Sequence, residues 1–266
     1  MTVNLHTHST FCDGINTPEE IVLAAIGKGM PAVGFSGHGY TPYDLRYCMK
    51  DTEGYRREIL RLKEKYRGEI EVYLGLEEDA FHPADRTKFD YIIGSCHYFC
   101  VDGEYYPVDS SYNYFKRCLH LFDHDPIAMA HAYFGAFCKY INQRKPDIVG
   151  HFDLITKFDD LDSSLFLENK EYLQLSERYM EEASRSGCIF EVNTGAISRG
   201  YRKTPYPNEN LLHILKKNGN GLILSADSHA VETLDYGFAE MCAYLRDLGF
   251  RSLITLRGGN FCPIGI

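Results

Sequence analysis

The sequence predicts a parallel α/β fold of the α/β-barrel type, on three observations. Short apolar runs alternate with amphipathic stretches along all 266 residues, which implies parallel strands with helices packed outside them. No low-complexity or Pro/Ser-rich linker divides the chain, so residues 1–266 read as one domain, although the length would also suit two small ones. The apolar runs end again and again in His, Asp or Glu, and a barrel gathers its strand ends on one rim.

Val3 to His8 reads as the first strand. Thr17-Pro18-Glu19-Glu20 then starts a helix with an N-cap, a proline at the first helical position and acids in the first turn, and the helix runs to about Gly29. Ala32 to Ser36 is the second strand, ending at His38 in a Gly-rich turn. A charged helix from about Asp51 to Tyr66 leads to the third strand, Ile70 to Leu76, which ends in Glu77-Glu78-Asp79. Tyr91 to Ser95 is the fourth, ending at Cys96-His97. A polar loop around Asp102-Gly103-Glu104 precedes helical material from Ser111 to Asn142, broken near Asp125-Pro126. Strand five, Asp147 to Gly150, ends at His151-Phe152-Asp153. A helix from Asn169 to Ser186 stops at Gly187. Strand six, Cys188 to Val192, runs into Asn193-Thr194-Gly195. Helix Asn208 to Lys217 precedes strand seven, Leu222 to Ser225, with Asp227-Ser228-His229 at its end. A last helix, Val231 to Leu248, precedes an apolar segment, Ser252 to Leu256, that suits an eighth strand or a lid.

Six of the seven strands end in His, Asp or Glu, and five of them in His. On an extended strand alternate side chains share a face, so His6 and His8 project together, about 7 Å apart. Asp13 follows in a Gly-containing turn that can swing its carboxylate back beside them. The collected groups are His6, His8, Asp13, His38, Glu77, His97, His151, Asp227 and His229. A Zn-like ion takes three or four N/O ligands, so this set with bridging carboxylates would serve two or three divalent ions. Each residue alone has a structural explanation: His38 as a turn cap, Glu77 as a solvated acid, His151 as a core histidine. Their recurrence at six strand ends is what a metal site explains. His82, His120, His124, His131 and His213 fall on predicted helices or loops and are left outside the site.

The net charge of −9 and a pI near 5.7 give no electrostatic footprint for long nucleic acid, and a small polar substrate is the better expectation. The start of the chain has no basic segment followed by an apolar run, and no stretch of about 18 apolar residues occurs, so an unprocessed protein without a membrane span is expected. The nine cysteines are scattered, with no Cys-x-x-Cys pair, and read as reduced thiols of a cytoplasmic protein.

The string His6-Thr7-His8-Ser9 through Cys12-Asp13-Gly14 resembles the first motif of the polymerase-and-histidinol-phosphatase (PHP) superfamily. Gly37-His38, Gly75-Leu76-Glu77, Gly94-Ser95-Cys96-His97-Tyr98, Gly150-His151-Phe152-Asp153 and Ser225-Ala226-Asp227-Ser228-His229 resemble its later motifs, in order. The resemblance implies a distorted seven-stranded (βα) barrel holding three metals, usually Zn, Mn or Fe in such proteins. It implies one ion on His6, His8, Glu77 and Asp227, a second bridged by Glu77 with His97 and His151, and a third on Asp13, His38 and His229. Position 37 is Gly where many relatives carry an acid, and Asp13 stands where others often carry His.

His151-Phe152-Asp153-Leu154-Ile155, His97-Tyr98-Phe99 and Glu191-Val192-Asn193-Thr194-Gly195 resemble the monofunctional histidinol-phosphate phosphatase branch. That branch implies hydrolysis of L-histidinol phosphate by a hydroxide bridging the Glu77-linked ions, with Arg199 on the phosphate and Asp227 or His229 assisting proton transfer. Arg202 and Asn193 are further substrate-binding candidates, and Glu78, Asp79 and Asp153 are polar groups available to the imidazole and amine. Other readings remain open. One is a PHP phosphoesterase for nucleotides, oligonucleotides or phosphotyrosine, and another is a non-catalytic metal-stabilised module. An amidohydrolase would be expected to show a lysine at a strand end, and the strand ends offer none.

Overall fold

Nearly every long helix begins where a short polar side chain can accept the free N–H groups of its first turn. In the computed structural model, which describes residues 3–161 and 165–266, Thr17 and Glu20 form a reciprocal capping box on α1 (Pro18–Gly27). Asp51 caps α2 (Thr52–Lys65), Ser111 caps α3 (Tyr112–His120) and Asp125 caps α4 (Pro126–Arg144). Asn169 caps α5 (Lys170–Ala183), and Asn208 caps α7 (Glu209–Asn218), which follows the single turn α6 (Gly195–Ser198). The expected helix 231–248 is instead a short 3-10 turn, Val231–Thr233, and then α8 (Phe238–Asp247). Gly237 at φ 70 breaks the two apart.

The strands β1 (Ala32–Phe35), β2 (Glu71–Asp79), β3 (Tyr91–Ser95), β6 (Ile148–Val149), β7 (Ile189–Asn193) and β8 (Leu222–Ser225) form one parallel sheet in that order. The polar loop expected around Asp102-Gly103-Glu104 is the turn of a hairpin of β4 (Tyr98–Val101) and β5 (Glu104–Pro107), with Asp102 and Gly103 at positive φ.

The first predicted strand is not a regular one. Its backbone bonds β1 on one side (Gly34 N–H to Asn4 O, 2.8 Å) and the end of β8 on the other (His8 N–H to Ser228 O, 2.8 Å). It thereby closes the curled sheet through isolated bridges, Asn4 to Val33 and Thr7 to Ser228. Side chains interrupt the ladder: Asn4 Oδ1 accepts from the Ala226 and His6 N–H groups, and Ser36 Oγ accepts from Thr7 N–H. Six regular parallel strands in a curled sheet, with this irregular segment bridging its two edges, make the single α/β domain of TIM-like form that was expected.

Helices and sheet bury two apolar layers, one around Ile21, Phe35, Tyr55 and Leu62 and a larger one around Phe134, Phe152, Tyr172 and Phe190. Val3, Leu5, Tyr73, Tyr91, Ile93, Ile148, Ile223 and Leu256 form a third cluster in the barrel. Tyr91 fills its centre and donates its hydroxyl to Leu5 O. A Cβ at Gly34 would lie against that hydroxyl and 2.8 Å from Leu5 Cδ2, so only glycine fits there.

The segment expected as an eighth strand or lid is a strand, but not one of the barrel sheet. β9 (Ser252–Arg257) pairs antiparallel with β10 (Asn260–Gly265) as a separate hairpin. Leu256 and Phe261 pack on Val3, Tyr73 and Ile223, which puts the hairpin on the side of the barrel away from the strands' carboxyl ends. Among the described residues no helix is long and apolar enough to cross a membrane.

Candidate metal centre

Glu77 lies within β2, which runs two residues past it, and its register with Ile93 aims the carboxylate into the barrel. Five imidazoles surround it. His38 Nδ1 is 2.9 Å, His6 Nε2 3.3 Å and His8 Nε2 3.6 Å from Oε2. His151 Nε2 and His97 Nε2 lie 3.0 and 3.3 Å from Oε1. Asp227 Oδ1 approaches His8 Nε2 at 3.1 Å and His6 Nε2 at 3.6 Å. Asp13 Oδ2 lies 3.3 Å from His229 Nε2 and 3.6 Å from His38 Nε2. All nine expected residues therefore meet on the carboxyl rim.

Their donor atoms fall into overlapping groups: His6, His8 and Asp227; His6, Glu77 and His151; His38, Glu77 and His97; His8, Asp13, His38 and His229. His6, His8, His38 and Glu77 each belong to more than one group, so neighbouring positions share ligands.

This donor set fits divalent metal ions. His6 Nε2, His8 Nε2 and Glu77 Oε2 are buried without a hydrogen-bond partner, although nitrogens and oxygen lie 3.3 to 3.6 Å apart. Lone pairs converging on one space are what a cation takes up, and imidazole nitrogen with carboxylate oxygen suits Zn, Mn or Fe. The electrostatics agree. Burial pulls His6 down, but Glu191, Glu77 and Asp227 outweigh it and push the imidazole up to about 10. Burial likewise opposes ionisation of Glu77, yet His6, His38 and His97 hold its carboxyl well below the usual range. Asp227 is held low against burial by Arg199 and His6.

Several neighbours differ from expectation. Arg199 does face the cluster: Nη2 bonds Asp227 Oδ2 at 2.9 Å, Nη1 bonds Asp227 O at 2.9 Å, and a third of its side chain is exposed. Arg202 does not. Its guanidinium is fully buried, bonds Thr156 and Thr204, and lies over the Tyr206 ring, 3.9 Å from Asp153. Asn193 is also buried, spanning Glu191 Oε2 and the Gly195 N–H. Glu78, on the opposite face of β2 from Glu77, is taken by Arg144 and Tyr140, and Asp153 by Asn208. Asp79 accepts from His97 N–H and Tyr43 OH and so braces a ligand rather than opening to a substrate.

Glu191 is the residue that sequence reading missed. Oε1 lies 2.6 Å from His6 Nδ1, and Oε2 accepts from His151 N–H and Asn193 Nδ2, both at 2.9 Å. The signal that could have found it was an acid between Phe190 and Val192 inside an apolar strand, where an unpartnered carboxylate would be costly.

A closed parallel sheet carrying His, Asp and Glu on its carboxyl rim defines a metal-binding α/β-barrel protein. The PHP domain profile matches residues 4–195, and the chain belongs to the PHP family. It is 29% identical to a Schizosaccharomyces pombe protein named "Probable histidinol-phosphatase", over 97% of this chain and 90% of that one. It is 25% identical to the Bacillus subtilis histidinol-phosphatase, over 89% of this chain and 98% of that one. Its fold matches the Lactococcus lactis histidinol phosphate phosphatase, solved with Zn, L-histidinol and phosphate, at TM-score 0.74, 20% identity and 98% coverage of both chains.

Proposed function

We propose that this chain is a metal-dependent phosphomonoesterase that hydrolyses L-histidinol phosphate to L-histidinol and phosphate, acting as one catalytic unit in the cytoplasm. The observation that carries the reading is the buried, partner-seeking cluster around Glu77 with Arg199 facing it. Histidinol-phosphatases that match most of the chain supply the substrate.

Two or three ions of Zn, Mn or Fe would be held by His6, His8, Asp13, His38, Glu77, His97, His151, Asp227 and His229. When bound, they neutralise phosphoryl charge and lower the pKa of water from about 15.7 towards 7. Arg199 already spends N–H groups on Asp227, and its Nη1 also lies 3.1 Å from His229 Nδ1, which leaves Nε and the second Nη2 hydrogen for a phosphate oxygen. It therefore sets phosphate and Asp227 side by side. Water attacks phosphorus, the ester P–O bond breaks, and the alkoxide must gain a proton. Asp227, held anionic, and His229, a quarter exposed and held neutral by burial and by His8, are the groups placed to move protons at the rim.

The test is phosphate release from L-histidinol phosphate beside p-nitrophenyl phosphate, nucleotides and phosphotyrosine, with metal content measured on the same sample. A rate with histidinol phosphate far above the others, abolished by chelator, is expected. Bound metal without that preference would move the protein to the broader phosphoesterase reading.

A further inference from the structure

The cleft over the cluster has a volume of about 340 Å³. Its lining includes Asp13, His38 and His97 of the cluster together with Asp44, Asp109 and Lys157. Two of its three carboxylates have partners on both oxygens. Asp13 faces His8, His38 and His229, and Asp44 takes the Arg46 fork at 2.8 and 2.6 Å with Tyr98 OH at 3.2 Å.

Asp109 is different. Lys157 Nζ donates to its main-chain oxygen at 2.7 Å and stands 3.4 Å from Oδ2, while Oδ1 has no protein partner among the described residues. Lys157 thus holds the loop and pairs with Oδ2, and Oδ1 is left to take a second cation. The Asp109 side chain is 28% exposed and lines the same cleft as His38 and His97, so its charge lies beside the candidate metal ligands.

A carboxylate in that position repels a phosphate, so it weakens binding of a general phosphomonoester. It helps only a substrate that brings its own cation. In L-histidinol phosphate the amine and the phosphorus are joined through two carbons and an oxygen, so a phosphate seated between the ligands and Arg199 sets the ammonium on the first ring of cleft side chains.

Resting on the proposed function, we infer that Asp109 is the ammonium subsite and selects phosphomonoesters of vicinal amino alcohols over those of uncharged alcohols. The test compares kcat/KM for L-histidinol phosphate and for its des-amino analogue, imidazolylpropyl phosphate, in wild type, Asp109→Asn and Asp109→Glu, with bound metal and melting temperature measured in parallel. Wild type should favour the aminated substrate about 10- to 100-fold, as a hydrogen bond to a charged group supplies. Asp109→Asn should bring the ratio near one, chiefly through KM for the aminated substrate, and Asp109→Glu should restore part of it. A ratio unchanged in Asp109→Asn, or equal loss on both substrates with loss of metal, overturns the subsite. Efficient wild-type turnover of both substrates without preference overturns the subsite and leaves the phosphatase reading standing. Turnover of neither overturns the phosphatase reading itself.

Discussion

Glu191→Gln tests how the metal centre is held. The glutamate has two acceptor oxygens and three donors: His6 Nδ1 at 2.6 Å, and the His151 N–H and Asn193 Nδ2 at 2.9 Å. Glutamine keeps the shape but replaces one oxygen with an amide donor. If its oxygen stays on His6, the amide faces two buried donors, which at about 1–3 kcal/mol each is a severe cost. If it flips, the amide points at His6 Nδ1, the imidazole must carry its proton on Nε2, and that nitrogen can no longer bind an ion. Either route should weaken the metal held with His6 by about 10- to 100-fold, or roughly 1.4–2.8 kcal/mol. Titration of metal-free protein with Zn²⁺ or Mn²⁺ reads this directly, beside phosphate release and circular dichroism. Wild-type affinity and rate in a folded Glu191→Gln protein would refute the argument that Glu191 sets the His6 tautomer.

His97→Ala should lower both bound metal and turnover, the latter by about 100-fold or more; full metal content at the wild-type rate would remove His97 from the ligand set. Arg199→Lys keeps a charge near Asp227 but loses the fork, so kcat/KM should fall about 10- to 100-fold with metal retained, as elemental analysis and kinetics would show. Chelation should lower the melting temperature: an ion present at 100 times its Kd contributes about 2.7 kcal/mol, or roughly 5–10 °C here. Arg144→Met should leave the buried Glu78 carboxylate without its fork and cost about 3 kcal/mol, read by denaturant unfolding, with Glu78→Gln in the same background recovering much of it.

Much of the site was legible in the sequence because a parallel α/β topology turns a local pattern into a position in space. A histidine just past an apolar run needs no knowledge of distant partners to be placed on the rim, and so His6, His8, His38, His97, His151 and His229 could be collected from scattered positions. Helix starts were legible for a similar reason, since Thr17, Asn169 and Asn208 cap turns only a few residues away. The last helix was begun too early because Gly237, tolerated by the pattern, adopts a positive φ and the helix starts only after it, at Phe238.

What the sequence by itself determined, then, is whatever depends on neighbours within a turn or on strand polarity. Only the tertiary structure decided which buried charges enter the candidate metal cluster and which brace it. Glu77 and Glu78 are adjacent and chemically alike, yet the pleat sends one into the ring of imidazoles and the other outward to Arg144. Arg199 and Arg202 are three residues apart, and one meets Asp227 while the other is buried against Thr156 and Tyr206. Glu191, Asp109 and the bridging segment at residues 4–8 acquire their roles from partners far along the chain. The physical reason is that a carboxylate's function is set by the cations and donors brought to it, and register and packing, which no local pattern records, decide which those are.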